Sequence, residues 1–396
     1  MLHTSPHRNF SNILGTSPEE IDTKTQGSDR ILLMSVIILM IFGILAVYSS
    51  IAYFAESKST TAFRLVTDHI IKLGIAFVVM LLVSKINYHT LSKFSRIGMV
   101  LSWLLLIAVM LFGTAQFGAK RWLNIGSFTF QPSTFASVAL VIHVCVLLAE
   151  KQDYIKDFKK SFLPIMLWVV VTCGLIATQD FSSASILMAV CLIIMFIGRV
   201  SVTQLSALVV LAVIGGVLVL SLSEVRQSRI TEYVRQIKDI ESTEILQGRG
   251  YQAQQAQIAI AKGELTGVGI GKSTQRDFLP APYNDFIFAI IAEEYGLLGA
   301  LSLIFIFTLI LFRGVVRIAK RAEDELGALL AMGCTLTIVL FGYVNAGVAS
   351  GLLPVTGLPM PFVSYGGTSM LFTGLMVGIL LNISKHNRDR KPMFYA

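Results

Sequence analysis

The sequence predicts an all-α polytopic membrane protein with about ten transmembrane helices, and three observations carry that reading. Of its 396 residues 54% are hydrophobic and only 14% charged, where a soluble domain carries about a quarter charged. The apolar residues are gathered into runs of about 20, the length that crosses a bilayer. The Lys and Arg residues between those runs fall mostly on alternate loops, as the positive-inside rule requires of a chain threaded back and forth.

Taken in order, residues 1–30 are polar, rich in Ser and Thr with mixed charge, and lack a cleavable signal pattern. They predict a disordered cytoplasmic tail. Apolar runs follow at about 31–53, 66–84, 97–115, 132–150, 162–179, 181–198, 203–222, 285–311, 326–348 and 366–383. The fifth and sixth are parted only by a polar turn. One membrane domain thus covers 31–384, and a basic cytoplasmic tail, 385–396, follows it. A large extracytoplasmic loop, about 223–284, separates helices seven and eight. Within it Val225, Ile230, Val234 and Ile237 recur near helical spacing amid charges, predicting a helix lying on the outer surface. A second amphipathic stretch after Gly248-Arg249-Gly250 leads into a glycine-rich turn.

With the N-terminus inside, the inner loops hold Lys85, Lys93, Arg96, Lys151, Lys156, Lys159, Lys160 and Arg199. They continue with Arg313, Arg317, Lys320, Arg321, Lys385, Arg388, Arg390 and Lys391. The short outer loops hold only Lys58, Arg64, Lys120 and Arg121. Both termini are therefore expected in the cytoplasm. The net charge of +8 reflects this bias and gives no sign of nucleic acid, since the basic residues are scattered without interleaved aromatics. Cys145, Cys173, Cys191 and Cys334 all sit inside apolar runs, so neither disulfides nor metal-ligand spacing is indicated. No tandem repeat is visible, and hence no sign of the inverted repeats of many transporters.

Four signals carry chemistry, and all lie on the outer half. Gly118-Ala119-Lys120-Arg121-Trp122, followed by Gln131-Pro132-Ser133, sets two cations and a tryptophan in an otherwise apolar hairpin. It reads either as an interfacial anchor or as a diphosphate contact. Asp180, in the turn between runs five and six, reads either as a helix cap or as a polar lining residue of a central cavity. Asp285 stands where the long loop re-enters the membrane. It suits an N-cap, and it equally suits a carboxylate able to accept a proton from a bound hydroxyl. Glu293 and Glu294 follow inside the apolar run, where acids are costly, about 2.5–3.5 kcal/mol each at a helix centre. They read as partners of buried donors rather than as reacting groups. Finally, Pro361-Phe362-Val363-Ser364-Tyr365-Gly366-Gly367-Thr368-Ser369-Met370 opens the last run. Its glycines permit a break, its hydroxyls and freed amides suit an anion, and Thr368 or Ser369 suits a helix cap.

Together GAKRW with QPS, the DFIFAIIAEEYG run and PFVSYGGTSM, in that order, resemble the signature segments of the SEDS family (shape, elongation, division and sporulation). The resemblance spans all ten runs. It implies a peptidoglycan glycosyltransferase in the bacterial cytoplasmic (inner) membrane, its active site facing outside. Such an enzyme polymerises lipid II into a glycan strand. The resemblance further implies a class B penicillin-binding protein as crosslinking partner, and, through the division branch, other divisome proteins at the septum. Asp285 matches the family's essential aspartate. It would deprotonate or orient the acceptor 4-hydroxyl, which attacks the donor's anomeric carbon with inversion as undecaprenyl diphosphate leaves. Lys120 and Arg121 would offset charge on the diphosphate. Trp122, Gln131, Ser133, Asp180, Ser364, Tyr365, Gly366, Gly367, Thr368 and Ser369 complete the expected substrate site. A divalent cation (Mg or Mn) is compatible with this chemistry, although no ligand cluster is visible. The chain departs from the family pattern at Thr134 and Ser137, where Glu and Lys are common, and at Ala281, Tyr283 and Asn284 around Asp285. GVGIGKSTQRDFLP is more similar to the division branch than to the elongation branch. A lipid flippase and a division scaffold are the competing readings.

Overall fold

The computed structural model describes residues 28–57, 62–116, 119–125, 128–221, 227–228, 230–234, 248–279 and 282–386. Most of both expected tails, and most of the expected surface helix at 223–240, lie outside these residues.

The described chain is an α-helical bundle with one small sheet. Its elements are α1 (Arg30–Ser57), α2 (Ala62–Val83), the short α3 (Tyr88–Lys93) and α4 (Ser95–Phe112), followed by β1 (Thr114–Gln116), β2 (Ala119–Ile125) and β3 (Phe128–Phe130). Then come α5 (Pro132–Glu150), α6 (Leu163–Gln179), α7 (Phe181–Ile197), α8 (Val202–Ser221), α9 (Gly248–Gly263), α10 (Ile287–Phe312), α11 (Glu325–Ala349) and α12 (Thr368–Lys385). Among the described residues nine helices are long and apolar enough to cross a membrane, and α7 is a shorter apolar helix of 17 residues.

The apolar runs become helices because nothing inside them competes. α5 starts with Pro132 in its first turn, where a missing N–H costs nothing, and α11 starts on Asp324, whose carboxylate accepts from Gly327 N at 2.8 Å. α5, α11 and α12 hold the centre, most of their residues being buried. α8 instead leaves Val209, Val210, Val213, Ile214, Val217 and Leu218 exposed, the pattern of a helix facing lipid rather than protein. α2 and α12 run side by side at close range: an ideal Cβ on Gly374 would lie 2.5 Å from the Ala76 carbonyl oxygen. Small residues permit that approach, as at other membrane helix interfaces.

The sheet joins β1, β2 and β3 in order, antiparallel, with Thr114 opposite Trp122 and Leu123 opposite Phe130. It marks one end of the bundle, called here the hairpin end. The opposite end is tied by an ion pair and a hydrogen bond: Arg313 Nε donates to Asp29 at 3.0 Å, and the Tyr88 hydroxyl donates to Asp324 at 2.9 Å.

The eighth run departs from a continuous span. α10 is broken at Gly296 (φ 69°, ψ −165°), a conformation that an L side chain adopts only with strain. The cause is tertiary. The chain at 264–269 lies against the break, Leu297 N donating to Glu264 O at 2.8 Å and Val268 N to Glu293 O at 2.9 Å. Glu293 and Glu294 therefore belong to the short half before the break. There Glu293 accepts from the Ser273 hydroxyl and from Thr274 N at 3.0 Å, and Glu294 accepts from the Ser49 hydroxyl. Both acids serve buried donors at the hairpin end.

Candidate active site

At the hairpin end the helices enclose a cavity of about 760 Å³, and the four sequence signals meet there. β2 delivers Arg121 and Trp122 to its wall. Arg121 Nε donates to the Gln179 carbonyl at 3.0 Å, and Nη1 stands 3.6 Å from Asp180 Oδ2. Asp180 is 3% exposed and also caps α7, accepting from Ser183 N at 3.2 Å and from the Ser183 hydroxyl at 2.8 Å. Both readings of Asp180 therefore hold at once: it caps a helix and it faces a cation across the cavity wall. Gln131 and Ser133, at the start of α5, line the same space, as do Thr134 and Ser137.

Asp285 lies in the turn before α10, half-buried, and lines the cavity. The N-cap of α10 is Phe286, which has no side chain to cap with, so the cap reading of Asp285 is replaced by a turn held from outside. Three consecutive carbonyls of this turn are each taken by a donor from α11 or the chain before α12. Tyr365 N donates to Tyr283 O at 2.8 Å, the Ser364 hydroxyl to Asn284 O at 2.6 Å, and Asn345 Nδ2 to Asp285 O at 2.9 Å. Asn345 also donates to Leu358 O at 2.7 Å, and the Ser364 oxygen accepts from Met360 N at 2.8 Å. Such a clamp fixes the backbone that carries the carboxylate, the preorganisation a reacting group needs. Gly357 closes the floor: a Cβ there would stand 3.4 Å from Asp285 Oδ2. Next to the carboxylate, burial pushes the Tyr283 phenol up from its ordinary range, with Tyr365 adding to the shift, so Tyr283 keeps its proton at neutral pH.

Ser364 lines the cavity and is 1% exposed, and its hydroxyl, engaged within the protein, positions the Asp285 turn. Thr368 is 1% exposed and is not in the cavity lining. Nor does Thr368 or Ser369 cap α12, whose N-cap is Gly367. Tyr365, Gly366, Gly367 and Ser369 do line the cavity. The Lys120 side chain lies outside the described residues. Among the polar lining residues that escaped the sequence reading are Gln252 from α9, Ser183 from α7 and Lys72 from α2. Only Lys72 had a usable signal, a charge inside an apolar run.

The carboxylates that line the cavity are Asp180 and Asp285, and Asp180 is taken by Ser183 and Arg121. Among the described residues no group of three or more His, Cys, Asp or Glu is placed to hold a metal ion.

The family model for the FtsW, RodA and SpoVE cell cycle proteins matches residues 29–389. Stage V sporulation protein E of Bacillus subtilis (strain 168) is 32% identical over 370 residues, 92% of this chain and 99% of that protein. A protein named "Probable peptidoglycan glycosyltransferase FtsW" from the same strain is 33% identical over 385 residues, 92% of this chain and 93% of its own. Among solved structures, the rod shape determining protein RodA of Thermus thermophilus superposes with a TM-score of 0.65 at 22% identity, covering 91% of this chain and 98% of that one. A chain from a structure described as showing structural coordination of polymerization and crosslinking by a peptidoglycan synthase complex gives 0.71 at 22% identity, over 90% and 97%.

Proposed function

Because this chain belongs to the FtsW, RodA and SpoVE family of cell cycle proteins, we propose that it is a peptidoglycan glycosyltransferase that polymerises lipid II at the hairpin end of the bundle. The observation that carries this reading is the clamped Asp285 turn, opening into a cavity whose wall also presents Arg121 and the Tyr365-Gly366-Gly367 stretch. The hairpin end faces the outside of the cytoplasmic membrane, in keeping with the sparse Lys and Arg on the loops there.

In the reaction the acceptor sugar's 4-hydroxyl gives its proton to the Asp285 carboxylate. Its oxygen bonds to the donor's anomeric carbon, and the bond from that carbon to the diphosphate oxygen breaks with inversion. Undecaprenyl diphosphate leaves with the electron pair, and Asp285 releases its proton to water. General-base assistance of this kind contributes about 10²–10⁴-fold. Arg121, joined by Lys120 on the same strand, offsets the charge on the leaving diphosphate. Asp180 holds Arg121 in place and tempers its charge. The likeness to division-type relatives and the GVGIGKSTQRDFLP segment support a septal role. A class B penicillin-binding protein is the crosslinking partner in this reading, and other divisome proteins would bring both to the septum.

The test is strand formation from purified lipid II by the purified chain, alone and with its class B partner. Expected are muramidase-sensitive glycan strands and released undecaprenyl diphosphate. A folded protein that binds lipid II beside its partner yet forms no strand would move transport or scaffolding ahead.

A further inference from the structure

The cavity holds a second cation that the scheme above leaves unused. Lys72, half-buried on α2, lines it. Its ammonium carries three donors. It gives one hydrogen bond, to the Tyr365 hydroxyl at 2.9 Å, and lies 4.4 Å from the centroid of that ring. Arg121 has a carboxylate 3.6 Å away, whereas Lys72 forms no ion pair among the described residues. A lysine within an apolar run is costly and calls for a counter-charge, and a phenol offers only part of one.

The counter-charge has a prepared place. On α2, Lys72, Ala76 and Met80 follow at four-residue steps and share a face. The carbonyls of Ala76 and Met80 lie against Gly374 and Gly378 of α12, within 2.5 and 2.7 Å of an ideal Cβ. One step back, that register sets Lys72 at the level of Met370, in the first turn of α12. This turn has no side-chain cap, its N-cap being Gly367, where an added Cβ would meet nothing within 4 Å. Gly366, Gly367 and Ser369 at the start of that turn line the cavity beside Lys72. A lysine facing an open helix N-terminus is the arrangement that takes a phosphate group.

We infer that Lys72 and the uncapped first turn of α12 form a second diphosphate site, apart from the Arg121–Asp180 pair. The choice of a polyprenyl diphosphate as its ligand rests on the polymerase reading. The site itself rests on the geometry.

The experiment measures binding to the full-length protein in nanodiscs, with undecaprenyl diphosphate, undecaprenol and inorganic diphosphate as probes. Lys72→Met is expected to weaken undecaprenyl diphosphate binding about ten- to hundredfold, and Lys72→Arg to stay near wild type. Undecaprenol binding is expected to be weaker than that of the diphosphate lipid and unchanged by either variant. Competition by inorganic diphosphate that disappears in Lys72→Met also supports the site. Equal loss in Met and Arg variants means a structural role and overturns the inference. So does unchanged affinity in Lys72→Met, or undecaprenol binding as tightly as the diphosphate lipid. Strand formation in the same samples separates the two claims. Strands with Lys72-independent binding sink this site alone, and Lys72-dependent binding without strands sinks the polymerase reading alone.

Discussion

Asp285→Asn is expected to cut strand formation from lipid II by about 10²–10⁴-fold while the protein melts close to wild type. The amide keeps the shape of the side chain but cannot accept the hydroxyl proton. The contacts that hold the turn, from Asn345, Ser364 and Tyr365, go to main-chain carbonyls, which the substitution leaves in place. The N-cap position of α10 is Phe286, and the amide keeps an oxygen that can accept a hydrogen bond as the carboxylate does. Initial rates of lipid II consumption and a thermal melt on the same preparation check both halves. A rate within tenfold of wild type would remove Asp285 as the base.

Glu293→Ala is expected to lower stability by about 3 kcal/mol or more without touching the reacting groups. The Glu293 side chain is fully buried and accepts from the Ser273 hydroxyl, from Thr274 N and Oγ1 at 3.0 and 3.2 Å, and from Gln275 N at 3.3 Å. Truncation strands these donors away from water at about 1–3 kcal/mol each. The loop at 273–275 is then expected to open, so limited proteolysis should cut there earlier than in wild type, with a lower melting temperature. Glu293→Gln, which keeps an acceptor oxygen, is expected to lose less. A Glu293→Ala protein as stable as wild type would mean the loop is held by other contacts.

The bundle was legible because a run of about twenty apolar residues has few alternatives. The runs at 132–150 and 326–348 match α5 and α11 to within a residue or two. The sheet was not legible, since β1 and β3 have three residues each, too short for alternation to show. Nor was the break at Gly296. The sequence is apolar on both sides of it, and the kink comes from backbone pairing with residues 264–269, contacts far along the chain that no local pattern encodes. At the site, residue types indicated Asp285, Arg121 and the glycine pair. Only the three-dimensional arrangement shows that Ser364, besides lining the cavity, holds the Asp285 turn. Asn345, inside an apolar run, anchors the turn that carries the candidate base. Lys72 was visible as a charge in a span, but its hydrogen-bond partner, Tyr365, lies 293 residues away in sequence.

The central claim is that lipid II reacts in this cavity, and photolabelling tests it most directly. A lipid II analogue with a diazirine on its sugar would be bound to Asp285→Asn protein, so that substrate persists, then illuminated and mapped by peptide mass spectrometry. Labels at 282–286 and 355–370, displaced by unlabelled lipid II, are the predicted result. Labels on the outer face of α8 or at the Asp29–Arg313 end, with none in the cavity, would contradict it.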